Sequence, residues 1–179
     1  LLPFGLLPWS RAAAEPLTLD SLMAAMAAAP ARQAGFVEER RFAALDAPLE
    51  SRGTLAYRPG HLEKVTRWPV SERLEIDGDR VIITAGNEAP RVIPLSMAPE
   101  LALFIDAIRA PLSGDVGALR RAFFCALTGT LAAWALTLVP RDGARVLRSV
   151  RIEGRGDAIG RIAVVQGNGD SQVMTIVPG

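Results

Sequence analysis

A mainly β fold with helices, an antiparallel meander that curls toward a barrel, is the class this sequence predicts. Three observations carry it. Apolar and polar residues alternate from about Gln33 to Leu95 and again from about Thr130 to Val177, the period of a half-buried strand. Turn residues such as Arg58-Pro59-Gly60 and Asp77-Gly78-Asp79 separate these runs at short intervals. Helical spacing is confined to the stretch before Pro30 and to the stretch between Pro99 and Phe124.

Taken in order, LTLDSLMAAMAAAP has a Thr18 or Asp20 cap, good helix formers and a Pro30 stop, with Leu19, Leu22, Met23 and Met26 on one side. GFVEERRF and ESRGTLAYR read as two strands joined through Pro48, and HLEKVT as a third. SERLEID and RVIIT flank a tight DGD turn and form a hairpin, in which Leu74 and Ile76 face one way and Arg73, Glu75 and Asp77 the other. RVIPL is a further short strand whose Pro94 suits an edge or a bulge. PELALFIDAIRAP then places Leu101, Phe104, Ile105 and Ile108 at i, i+3, i+4 and i+7 between Pro99 and Pro111, an amphipathic helix. GDVGALRRAFF, capped by Asp115, predicts a second and shorter helix. Strands resume in TLAAWALTLVP, LRSVRIEGRG, AIGRIAVVQ and SQVMTIV. Strands joined so locally form a meander, and curling toward a barrel limits exposed edges.

At 179 residues, half of them hydrophobic, the chain is long enough for one domain with a full core. Its mean hydropathy of +0.24 calls for apolar surface to go inside or to meet something apolar. Nucleic acid is excluded as a main partner, because 20 basic residues are offset by 19 acidic ones and form no basic face. Only Lys64 among those basic residues is a lysine, so bidentate arginine pairing is favoured on the surface. LLPFGLLPWSRAAAEP reads as the tail of a secretory leader covering residues 1–14, an apolar region followed by small residues, against the alternative of a docked N-terminal segment. No cysteine follows those small residues, so no bacterial lipobox is read and a soluble exported protein is expected. Cys125 is the single cysteine, which excludes an internal disulfide.

No catalytic constellation is expected. His61 is the only histidine and has no companion His or Cys, so no metal site is assigned. A Ser/His/Asp triad would need that same histidine, and there is no GxSxG elbow. Asp77, Asp79, Asp142 and Asp170 occupy turn positions that favour Asp beside Gly. GRGDAIG and GNGD lack the lysine and the following helix of a phosphate loop, so no nucleotide or other cofactor is expected. Cys125 lies among apolar residues and reads as an inert core thiol. What remains is a concave apolar interior, either filled by its own side chains or open to a ligand.

The anchors Arg58-Pro59, Asp77-Gly78, Leu112 to Asp115 and Trp134 to Pro140, in this order of elements, resemble the bacterial periplasmic lipoprotein carrier family LolA and its divergent relatives over about residues 17–177. The resemblance implies one LolA-like domain over 15–179, an unclosed antiparallel barrel of about 10 to 11 strands with an α-helical lid over a hydrophobic cavity. It implies a cavity wall of Leu55, Tyr57, Leu74, Ile76, Trp134, Leu136 and Leu138, chosen on strand parity, and a lid of Leu101, Phe104, Ile105 and Ile108. Arg58 matches the arginine beside proline that latches the family's lid by reaching helix-end carbonyls. The partners implied are a lipoprotein or other acylated, amphipathic cargo, an inner-membrane exporter and an outer-membrane acceptor, with the carrier a monomer in the periplasm. Where the family's aromatic residues follow the Arg-Pro and Asp-Gly pairs, this chain has Leu62 and Val81, Ile82 and Ile83, so the cargo stands open between lipoprotein and lipid or pigment. Two other classes are weighed beside the carrier: a lipid-sensing regulatory module of the envelope with the same fold, and an enzyme on a lipid substrate.

Overall fold

A computed structural model describes residues 16–29, 31–143 and 145–178. The expected leader remnant and the Pro30 stop lie outside these residues. Thr18 starts helix α1 (Leu19–Ala27) through a reciprocal cap: its Oγ1 accepts from the Ser21 amide at 3.1 Å, and Ser21 Oγ accepts from the Thr18 amide at 3.0 Å. Helical spacing brings Leu22, Met23 and Met26 to one face, where none is more than 2% exposed.

Six strands follow: β1 (Arg32–Arg41), β2 (Leu49–Arg58), β3 (His61–Trp68), β4 (Glu72–Asp77), β5 (Arg80–Ala85) and β6 (Arg91–Pro94). Helices α2 (Pro99–Ser113) and α3 (Val116–Ala122) come next, then β7 (Phe123–Thr130), β8 (Ala133–Pro140), β9 (Leu147–Arg155), β10 (Ala158–Gln166) and β11 (Ser171–Val177). All eleven strands form one antiparallel sheet in the order β6-β5-β4-β3-β2-β1-β11-β10-β9-β8-β7. Its centre is the pairing of β1 with β11, Phe36 opposite Ile176 and Glu38 opposite Met174. The edges β6 and β7 do not pair with each other, so the barrel is unclosed. Short β6 ends in Pro94, which has no amide to offer another strand.

Helices α2 and α3 carry the chain from one sheet edge to the other across the inner face. Their packing on that face, together with α1, makes two hydrophobic clusters. The larger joins Leu22, Met23 and Met26 to Leu119 of α3 and to Leu136, Leu138, Val150, Ile152 and Val164 of the C-terminal strands. The smaller sets Ile105 of α2 against Ile76 and Val81 of the β4–β5 hairpin, with Leu95. Each fully buried aliphatic side chain contributes roughly 1.5–3 kcal/mol against leaving it exposed.

Two glycines are required by close approach. Gly114 ends α2 at φ +70°, and a Cβ there would stand 2.4 Å from the Met23 carbonyl, so α1 packs directly on the helix end. Gly53 sits where β2 shifts register against β3, and a Cβ would stand 1.8 Å from the Val65 carbonyl.

Two expectations are corrected. Phe123 and Phe124 were expected at the end of the second helix but begin β7, whose alternation buries Phe123 and leaves Phe124 outward under the Arg141 guanidinium, 4.3 Å from the ring centre. Pairing of Phe123 with Pro140 and Leu127 with Leu136 outweighs the local helical pattern. Pro111 does not bound α2 but lies inside it; the helix runs on to Ser113 and closes with the Asp115 amide donating to the Ala110 carbonyl.

Candidate functional site: a cavity beneath helix α2

Strand register decides which side chains face inward. Across β1, β2, β3 and β4, Arg32 pairs with Tyr57, Tyr57 with Leu62 and Leu62 with Ile76; the next inward row joins Ala34, Leu55, Lys64 and Leu74. Opposite these rows α2 presents Leu101, Phe104, Ile105 and Ile108. Between the two large clusters the helix and sheet do not meet completely. A cavity of about 560 Å³ remains, within the range of small-molecule sites.

Leu55, Tyr57, Leu74 and Ile76 line this cavity from the sheet, and Leu101, Phe104, Ile105 and Ile108 line it from α2. Ile162, Met174 and Ile176 complete the far wall. Trp134, Leu136 and Leu138 share the inward parity but lie outside the cavity lining, in the buried cluster that also holds Leu22, Met23, Met26 and Leu119. Trp134 also donates its indole N–H to the Gly156 carbonyl at 2.9 Å, which fixes the ring against Gly154.

The latch assignment shifts as well. Arg58 follows inward Tyr57, so alternation turns it outward; it is exposed, and among the described residues no helix-end carbonyl accepts from it. Arg32, directly across from Tyr57, has that chemistry instead: its Nη2 donates to the Met26 carbonyl at the end of α1 at 2.9 Å, and its Nη1 donates to the Asp157 carbonyl. Helix α2 is tied by Arg109, whose Nη1 donates to the Gly78 carbonyl in the β4–β5 turn at 2.7 Å while Nη2 holds Asp106 at 2.8 Å. Burial pushes the Tyr57 phenol up, an effect that Arg32 and Arg109 partly offset.

One end of the cavity is not apolar. Glu38 is only 1% exposed, yet it is an acid on the inner face. Its Oε2 accepts from Lys64 Nζ at 2.6 Å and from Ser51 Oγ at 3.0 Å, its Oε1 accepts from Gln172, and Arg40 Nε stands 3.3 Å away. Lys64 also lies 4.9 Å from the centre of the Phe36 ring. Burial lowers the Lys64 pKa, an effect that Glu38 opposes. Sequence reasoning missed this group, although alternation alone puts Glu38 on the Phe36 face and Lys64 on the Leu62 face.

Outside the barrel, His61, Glu63 and Glu75 converge, their donor atoms within 4.8 Å of one another, a neighbourhood not anticipated for His61. Arg73 already bridges both carboxylates, at 2.5 Å to Glu63 and 3.1 Å to Glu75. Cys125 is half-buried on edge strand β7, and burial raises its thiol pKa, which disfavours the reactive thiolate. Among the described residues no helix is long and apolar enough to cross a membrane.

No curated protein matches the chain in sequence. Among solved structures, a LolA superfamily protein from Nitrosomonas europaea is similar at 10% identity with a TM-score of 0.46, covering 89% of this chain and 91% of that one. The MucA/MucB complex structure of Pseudomonas aeruginosa is similar at 16% identity with a TM-score of 0.41, over 89% of this chain and 56% of that one. The family model described as outer membrane lipoprotein carrier protein LolA-like matches residues 11–179. With an unclosed eleven-stranded sheet, helices across its inner face and an apolar cavity between them, the chain belongs to this LolA-like family of lipid- or lipoprotein-binding envelope proteins.

Proposed function

We propose that this chain is a non-catalytic periplasmic carrier that shields the acyl part of a lipoprotein or related amphipathic lipid between the inner and outer membranes. The observation that supports it is the 560 Å³ cavity, walled by branched aliphatics from the sheet and by the apolar face of α2. An acyl chain in water costs about 0.8 kcal/mol per CH₂, so crossing an aqueous compartment requires an escort. A carrier far better than a bilayer would not release its cargo, so the cavity has to match a membrane rather than exceed it.

The resting arrangement supports modest net affinity. Phe104 and Ile108 stand partly buried at the cavity, where incoming cargo competes with their own contacts. Among the described residues, Arg109 to Gly78 is the charged hydrogen bond from helix α2 to the sheet, and a small rearrangement breaks it. In this reading an inner-membrane exporter loads the cavity, an outer-membrane acceptor empties it, and the chain acts as a monomer exported by an N-terminal leader.

The test is titration of the full chain with a pyrene-labelled alkyl chain, beside Leu74→Arg, which places a charge on the cavity wall. Saturable uptake by the wild type and at least about tenfold weaker uptake by the variant are expected, since a buried unpaired charge costs several kcal/mol. An unaltered wild-type spectrum at saturation would remove the carrier reading. Native mass spectrometry of protein taken from its own periplasm then identifies the cargo class.

A further inference from the structure

The polar end of the cavity is costly to build. Glu38 and Lys64 are withdrawn from water, their side chains 2% and 15% exposed. A buried ion pair of this kind gives little net stability over an apolar pair of the same volume. Two cations, Lys64 and Arg40, share the one buried carboxylate of Glu38, and the other acid that acts on Lys64, Glu72 of β4, is exposed. Donors are also left over: among the described residues Lys64 Nζ donates only to Glu38, and no acceptor takes the terminal nitrogens of Arg40. Lys64, Arg40 and Gln172 all line the cavity.

The geometry is graded from rim to floor. Arg40, with its side chain 47% exposed, stands where solvent reaches, Lys64 lies deeper, and beyond it Leu74, Ile76 and Phe104 offer only hydrocarbon. Resting on the carrier reading, we propose that this end is a headgroup subsite, and that the preferred ligand is an amphiphile whose alkyl chain ends in an anionic group, a carboxylate or a phosphate, held by Lys64 and Arg40. Such an anion accepts charge-assisted hydrogen bonds from the N–H groups that Glu38 leaves over, whereas a neutral head makes only weaker ones. Glu38 acts as a positioning residue: it holds Lys64 extended across the strands and repels an anion that approaches from any side but that of the two cations. A cationic head has only Glu38 to meet, and Glu38 is already saturated.

The experiment displaces the neutral pyrene-labelled alkyl probe from the full chain near neutral pH with hexadecanoate, hexadecyl phosphate, hexadecanol and hexadecyltrimethylammonium. The anions should displace it about tenfold more effectively than the alcohol, and the cation no better than the alcohol. Arg40→Gln, a partly exposed position, and the paired Lys64→Met/Glu38→Gln, which leaves no buried orphan charge because Arg40 is half-exposed, should each reduce that advantage to about threefold or less while the neutral probe still binds. Activity of only one of the two anions assigns the subsite to that chemistry. Equal displacement by anions and alcohol overturns the headgroup subsite and leaves the carrier reading standing, as does an anion advantage that survives in both variants. Failure of the neutral probe to bind removes the carrier reading and this inference with it.

Discussion

Lys64 and Glu38 face each other across β2, on strands β3 and β1, and their pairing makes a testable difference to stability. Removing Lys64 alone leaves the buried Glu38 carboxylate with Arg40 as its remaining cation and should destabilise the fold by more than Lys64→Met/Glu38→Gln, which removes the buried charge with its partner. Because burial lowers the Lys64 pKa, the unfolded chain holds this proton more tightly than the folded one. Stability referred to the paired variant should therefore rise with pH between the depressed value and the ordinary lysine value. Urea denaturation of the two proteins across that interval checks the sign; a fall would mean that attraction to Glu38 outweighs burial. At this scale parity was legible and partnership was not. Alternation placed Leu55, Tyr57, Leu74 and Ile76 on the inner face, but the same alternation places Arg58 outside, where the resemblance had put a latch. Which arginine meets a helix end depends on where α1 finishes, and that is decided by Met23 and Met26 packing on other strands.

Helix α2 is the element on which loading depends. Its amphipathic spacing was plain from Leu101, Phe104, Ile105 and Ile108, and its start at Pro99 also, but its tie to the sheet was not, because Gly78 precedes Arg109 by 31 residues. Arg109→Ala removes that tie at a half-exposed site and should speed release of an alkyl probe about fivefold, for a loss of roughly 1 kcal/mol. The measurement is stopped-flow displacement, and Arg58→Ala should behave as wild type in it. Matching rates for Arg109→Ala and wild type would mean that apolar packing alone holds α2. Strand β7 shows the opposite balance between local and distant preference. Val116 to Phe124 has a helical pattern, yet Phe123, Cys125 and Leu127 also alternate, and the chain changes from helix to strand at Phe123 because β8 offers a full ladder of partners.

At the scale of the whole molecule, the eleven strands form one sheet whose N-terminal and C-terminal strands pair at its centre, so the two halves cannot separate without breaking β1 from β11. A ligand seated between helix and sheet therefore stabilises the fold as a unit. Saturating a chain of this size with an alkyl anion at about 100 times its Kd should add about 2.7 kcal/mol and raise the melting temperature by roughly 5–10 °C. Differential scanning fluorimetry measures it, and an unshifted melt at that concentration would mean that the native state is not bound in preference to the unfolded chain. The fold class is legible along the chain: two periods, of strand and of helix, are local properties, and the turns between strands are written in Pro, Gly and Asp. Which residues share a face is legible there too. Which of those faces close on each other and which leave a space depends on packing between distant segments. Leu136 and Leu138 have the same parity as Leu55 and Leu74, but the first pair is fully buried in the larger cluster while the second lines the cavity beneath α2. The physical reason is that parity is fixed every two residues along one chain segment, whereas a cavity is what remains when side chains from distant segments fail to fill the distance between two surfaces.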